Sequence, residues 1–301
     1  MGRRARTGGG GEDGDGVARI VASRAFAGMC AVAIVVLAID QGLERSKLLE
    51  AYVDVPAYEY FYGRRGAYLG DLGEIVGRDT TSDVVKDFVR ETPALGKLLS
   101  KVTLGRVLSN LPVVAAAGCI CLAGAYHGLC LACNIGARWI HAKGVLRFGI
   151  IVLFGYFCGG KGFGSDTVAM EFLKNSFGRQ RPTGIEHGER SLSFPSGHTN
   201  GASFFCGALA TLVVPNVVAS SPLVAKIWRG ARGTKALLLA SWIVLTAVTG
   251  LGRVASLKHW CSDCVCGTFT GAFTVSLAST TALALESKLL SRSPGHHLKS
   301  S

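Results

Sequence analysis

The sequence predicts an all-α fold, a six-span transmembrane helical bundle with an amphipathic helical insertion between spans 1 and 2. Three observations predict it. Hydrophobic residues make up 49% of the 301 residues, charged residues only 17%, and the mean hydropathy is +0.36, a balance shifted toward membrane proteins. Runs free of Asp, Glu, Lys and Arg recur at 111–136, 199–225, 236–252 and 265–285, each near the roughly 20 residues that a spanning helix needs. Cations, finally, gather between the runs with the bias expected of membrane loops.

Residues 1–24 open with the Gly-rich, charged RRARTGGGGEDGDG segment, too polar to bury a core, and are read as a disordered tail. Glu12, Asp13 and Asp15 argue against an organelle transit peptide, which is poor in acids. Residues 25–110 hold a first span at Ala25 to Ile39 and then a mixed-charge stretch. Within that stretch Leu43 to Tyr52 and Ser82 to Val107 carry apolar residues at helical spacing, the pattern of interfacial or soluble amphipathic helices. Residues 111–286 form the core, in which Val145 to Gly160 adds a span able to continue helically toward Leu173. Residues 287–301 are a polar C-terminal tail.

With the Arg-rich N-terminus in the cytoplasm, the acid-free loops bearing Arg138, Lys143 and Arg147, and Lys226, Arg229, Arg232 and Lys235, fall on the same side. The loops 161–198 and 253–264 then share the non-cytoplasmic face. The endoplasmic reticulum, the plasma membrane and a plastid membrane all suit this layout.

The net charge of +12 does not indicate a nucleic-acid partner, because the basic residues form no aromatic-interleaved stripe. Seven of the ten cysteines lie in apolar runs, where cysteine acts as a small hydrophobe. The Cys130/Cys133 and Cys261/Cys264 pairs lack the further ligands of a tetrahedral zinc site.

The unusual polar residues concentrate in three clusters. In the first, Lys174 and Arg181 are seven apart, two turns along one helical face, before Pro182 ends the helix. Such cations suit a dianion, and a guanidinium binds phosphate oxygens bidentately. In the second, Pro195-Ser196-Gly197-His198 precedes an apolar helix, so that free N–H groups and the Ser196 hydroxyl make an anion site, with His198 as proton donor. In the third, Arg253 is followed by His259 and Asp263, an i, i+4 pair on the helix opening the last span. A carboxylate there fixes the imidazole tautomer and leaves the other nitrogen free to attack. His127 reads as a buried polar residue in a span, His141 and His187 as loop residues.

The pattern Lys-x6-Arg-Pro, Pro-Ser-Gly-His, Arg-x5-His-x3-Asp, spanning Lys174 to Asp263, resembles the type 2 phosphatidic acid phosphatase superfamily. That superfamily contains lipid phosphate and prenyl diphosphate phosphatases, glucose-6-phosphatase, soluble acid phosphatases and vanadium haloperoxidases. The resemblance implies that His259 attacks phosphorus to give a phosphohistidine, Asp263 orients it, and His198 protonates the leaving oxygen. Lys174, Arg181, Arg253, Ser196 and Gly197 would hold the phosphoryl oxygens in place of a metal, so no metal or cofactor is expected. The implied substrate is a phosphorylated lipid whose tail stays in the bilayer. Phosphatidate stands first, with phosphatidylglycerol phosphate and prenyl diphosphates behind it. A catalytically silent lipid-binding or scaffold membrane protein is the alternative from another class. One position departs from the pattern. Gly252 stands where the third motif usually has Ser, a loss expected to cost at most one auxiliary hydrogen bond, about 0.5–1.5 kcal/mol.

Overall fold

A computed structural model of the chain describes residues 16–42, 48–63, 104–160, 166–182, 192–221, 225–226 and 233–291. Among these residues the regular elements are all helical: α1 Gly16–Val21, α2 Arg24–Gly42, a π turn Glu50–Asp54 running into α3 Val55–Gly63, α4 Leu104–Ala132, α5 Arg138–Cys158 and α6 Val168–Phe177. They continue with α7 Gly197–Ala208, a second π turn Leu209–Val213, α8 Val214–Ser220, α9 Thr234–Ala255 and α10 Cys261–Ser291. Among the described residues six helical stretches are long and apolar enough to cross a membrane: α2, α4, α5, the continuous 197–220 stretch, α9 and α10. The chain is a multi-pass membrane protein.

Burial sorts these spans into a centre and a rim. Of the twelve residues of α7 every one but His198 is buried, and the helix packs against α10, α9 and α4. Its small residues permit that position, since apolar spans associate through close backbone approach and not through hydrophobic burial. Gly267 and Gly271, one turn apart on α10, form the facing seam. A Cβ on Gly267 would stand 2.5 Å from the Ser196 carbonyl oxygen, and one on Gly271 would stand 2.4 Å from that of Asn200. Trp242 of α9 donates its indole N–H to the Ser203 carbonyl at 2.7 Å, satisfying the polar edge of a buried ring. At the rim, α2 buries only Cys30 and Leu37 and turns Met29 and Val32 outward, both 63% exposed. A bilayer is the solvent in which such a surface is stable.

Several expectations need correction. The tail assigned to residues 1–24 contains α1, whose Val17, Ala18 and Val21 are buried because α1 packs against α10; residues 1–15 lie outside the described ones. The C-terminal tail does not begin at 287, since α10 runs to Ser291. The span at 145–160 does not continue to Leu173: α5 ends at Cys158 and α6 starts afresh at Val168. His141 and the supposed loop cations Lys143 and Arg147 lie on α5. Arg147 is 1% exposed. It donates from Nε and Nη2 to the two Glu286 carboxylate oxygens, at 2.5 and 3.1 Å, and from Nη1 to the Leu212 carbonyl at 3.0 Å. His141 is buried and its Nδ1 sits 3.0 Å from that of His127. Of the insertion between spans 1 and 2, residues 48–63 are helical; the expected helix at Ser82 to Val107 lies outside the described residues up to 103.

Candidate active site

The three sequence clusters meet at one end of the bundle, where α6, α7 and α10 begin or end. The loop before α7, with a cis Phe194–Pro195 bond, is pinned to α10 by the Ser196 N–H donating to the Asp263 carbonyl at 3.0 Å. Ser196 is the N-cap of α7, its Oγ accepting from the Thr199 N–H at 3.5 Å and from the Thr199 hydroxyl at 3.1 Å. The capping leaves the Ser196 hydroxyl hydrogen available to donate. His198, the partly exposed residue of an otherwise buried helix, stands at the same N-terminus, where backbone N–H groups and the helix dipole favour an anion.

His259 and Asp263 are brought together differently from the expected helical pair. The helix begins only at Cys261, so His259 lies in the preceding turn. Asp263 causes that boundary: its Oδ2 reaches back to accept the Trp260 N–H at 2.9 Å, the reciprocal half of a capping box. The same oxygen stands 3.4 Å from His259 Nδ1 and accepts the Ser193 hydroxyl. With Nδ1–H directed at the carboxylate, Nε2 carries the free lone pair.

Lys174 and Arg181 do not share a helical face. Gly178, at φ 61°, caps α6 in the left-handed conformation after Phe177, the usual way a helix is stopped by glycine. Arg181 therefore leaves the helix altogether and donates to the Lys258 carbonyl at 2.9 Å. Lys174 pairs with Asp166 at 2.8 Å. Both cations are nonetheless buried, 6% and 8% exposed, and together with Arg253 they lie close enough to His259 to act on its charge. Burial first, then Arg253, Arg181 and Lys174, hold the His259 imidazole well below the ordinary histidine range. It rests neutral.

Three residues of this site were missed in the sequence. Arg179 was passed over between two motif cations, yet its Nη1 donates to Asp263 Oδ1 at 2.8 Å and its Nη2 to Asp54 Oδ2 at 2.8 Å. Ser193 bonds Asp263. Asp54, from the insertion, is 1% exposed and accepts both from the Ser262 N–H at 2.8 Å and from the Ser262 hydroxyl at 2.5 Å. The only available signal was their position beside motif residues, and Asp54 lacked even that.

Gly252 has a structural explanation. A Cβ there would meet Leu108 Cβ at 2.8 Å and the Ser109 nitrogen at 2.9 Å on α4. The position faces a neighbouring helix at close range, and the Ser256 hydroxyl donates to the Gly252 carbonyl at 2.6 Å in the same seam. Gly252→Ser, which restores the family pattern, is expected to lower stability by about 1–3 kcal/mol, as overpacking does. A thermal unfolding midpoint in detergent at or above wild type would contradict this.

Comparison with known proteins agrees with the motifs. Residues 144–285 match the PAP2 superfamily. The lipid A 1-phosphatase of Porphyromonas gingivalis is 32% identical over 129 residues, a match covering 39% of this chain and 24% of that protein's length. The chain thus spans about a quarter of the curated relative it matches. The crystal structure of a transmembrane PAP2-type phosphatidylglycerolphosphate phosphatase from Bacillus subtilis is similar at 18% identity and a TM-score of 0.34, over 78% of this chain and 96% of that one. Residues 144–285, the stretch that matches the PAP2 superfamily, include all three motifs.

Proposed function

We propose that the chain is a membrane phosphatase that hydrolyses the phosphate monoester of a lipid through a phosphohistidine on His259, without a metal ion. The observation that carries this reading is a buried, neutral imidazole with Nδ1 toward Asp263 and three cations, Lys174, Arg181 and Arg253, acting on it. In the first step Nε2 attacks phosphorus, the bond to the leaving oxygen breaks, and His198 gives that oxygen its proton. The cations and the α7 N-terminus take up charge on the phosphoryl oxygens, the main demand of phosphoryl transfer. Asp263 stabilises the charge that develops on the ring. In the second step His198 takes a proton from water, which displaces His259.

The site sits where spanning helices end, so a lipid can keep its tail in the bilayer while its headgroup reaches the cations. We assign that end to the non-cytoplasmic face from the acid-free cations Lys226, Arg229 and Arg232 between the spans ending and starting at the opposite end. Phosphatidate is the first substrate to test. Phosphatidylglycerol phosphate and the phosphate group of a lipid A belong in the same panel, because the similar proteins act on these. Phosphate release from detergent-solubilised protein is expected to persist in excess EDTA, and its loss on chelation would contradict the metal-free mechanism.

The electrostatics make a separate prediction. Because the folded site refuses a proton that the unfolded imidazole accepts below about pH 6.5, His259's contribution to stability is full above that pH and is lost as pH falls through and below it. The difference in unfolding midpoint between wild type and His259→Asn is therefore expected to shift against wild type from pH 7.5 to pH 5.5. An unchanged difference across this range would contradict a buried neutral His259.

A further inference from the structure

The nucleophile's carboxylate is itself held from behind. Arg179 donates through Nη1 to Asp263 Oδ1 and to the Ser262 hydroxyl, at 2.8 and 2.7 Å, and through Nη2 to Asp54 Oδ2 at 2.8 Å. Two carboxylates, 0% and 1% exposed, thus share one guanidinium. Asp263 alone would have neutralised Arg179, and burying a second carboxylate is costly unless its charge is used. Asp54 also takes the Ser262 N–H and hydroxyl, the first of which is an orphan donor of the first turn of α10. Asp54 is the buried residue of a segment that otherwise faces outward, flanked by Val53 and Val55 at 40% and 38% exposure.

We infer that Asp54 is a positioning residue for the reaction proposed above: through Arg179 and Ser262 it fixes the Asp263 carboxylate, and by sharing the guanidinium it leaves Asp263 with more negative charge to present to His259. The geometry fits this division of work. Arg179 engages Oδ1 of Asp263, while Oδ2 is the oxygen facing His259 Nδ1. The segment 48–63, which connects onward from the first span, then has a catalytic consequence: the nucleophile is competent when this segment is docked against α10.

This inference rests on His259 being phosphorylated, and the test separates the two. Single-turnover labelling of the full chain in detergent, using a ³²P-labelled phosphatidate, gives the rate of phosphohistidine formation. Steady-state assays give kcat and KM. Asp54→Asn keeps the shape and removes the charge. It is expected to lower kcat and the labelling rate by about 10- to 100-fold, the range typical when an outer partner of a functional side chain is lost, with KM within about threefold of wild type. In an Asp263→Asn background the same change is expected to add less than about threefold, because a residue acting through Asp263 has nothing left to act on. Asp54→Glu, which restores the charge, is expected to exceed Asp54→Asn in labelling rate. Labelling of Asp54→Asn at the wild-type rate, or an undiminished loss in the Asp263→Asn background, overturns the role of Asp54 while leaving the phosphohistidine intact. A wild-type protein that hydrolyses phosphatidate without any label on His259 overturns both.

Discussion

Replacing His259 with alanine is expected to lower phosphate release by about 10⁴- to 10⁶-fold, the scale on which hydrolytic sites fail when the nucleophile is removed, and to abolish labelling of the protein by a ³²P-phospholipid. The size follows from what the side chain does alone. His259 is 2% exposed, so bulk water does not stand ready to replace it. Lys174, Arg181 and Arg253 would still bind and polarise the phosphoryl group, and they set the residual rate. Asp263→Asn should be less severe, about 10³- to 10⁴-fold, because it keeps the shape but presents an amide to the ring and disturbs the tautomer. Labelling should then slow and not vanish. The order of the two variants is the sharper check: His259→Ala retaining more than a tenth of wild-type activity removes it from the role of nucleophile, and Asp263→Asn falling below His259→Ala assigns the chemistry to the carboxylate.

The spans were legible because twenty uncharged residues in a row have few stable solutions other than a helix in lipid. The motif residues were legible because each type has a chemical reason to be at a membrane end. What the spacing concealed was local geometry. Seven residues from Lys174 to Arg181 is two helical turns only if the helix continues, and Gly178 stops it. Four residues from His259 to Asp263 suggests a shared helical face, but Asp263 caps the helix that starts between them. Partners distant in the chain were concealed entirely. Asp54 meets Ser262 across 208 residues, and Arg147 meets Glu286 across 139. Arg147 was thus counted with the loop cations, since nothing near it in sequence supplies an acid.

That last pair carries the largest expected effect on stability. Glu286→Ala is expected to destabilise the protein by about 3–5 kcal/mol, the cost of leaving a buried ion without its partner. Arg147 would keep the bond to the Leu212 carbonyl but lose both carboxylate oxygens, in a bundle where no water can replace a carboxylate. Lys143, 3.0 Å from Glu286, would lose the same partner, but its side chain is 18% exposed and can extend its ammonium outward. The unfolding midpoint in detergent, followed by tryptophan fluorescence, should fall by roughly 10 °C. Arg147→Met together with Glu286→Leu removes both buried charges and should recover most of the loss, since a buried pair often contributes little over well-packed apolar residues. A Glu286→Ala protein as stable as wild type, or a double variant no better than the single, would mean that the bond is not what joins α5 to α10. Activity separates this effect from catalysis. Glu286 is about 34 Å along α10 from Asp263 at a rise of 1.5 Å per residue, so the folded fraction of Glu286→Ala should keep the wild-type KM while the amount of active protein falls.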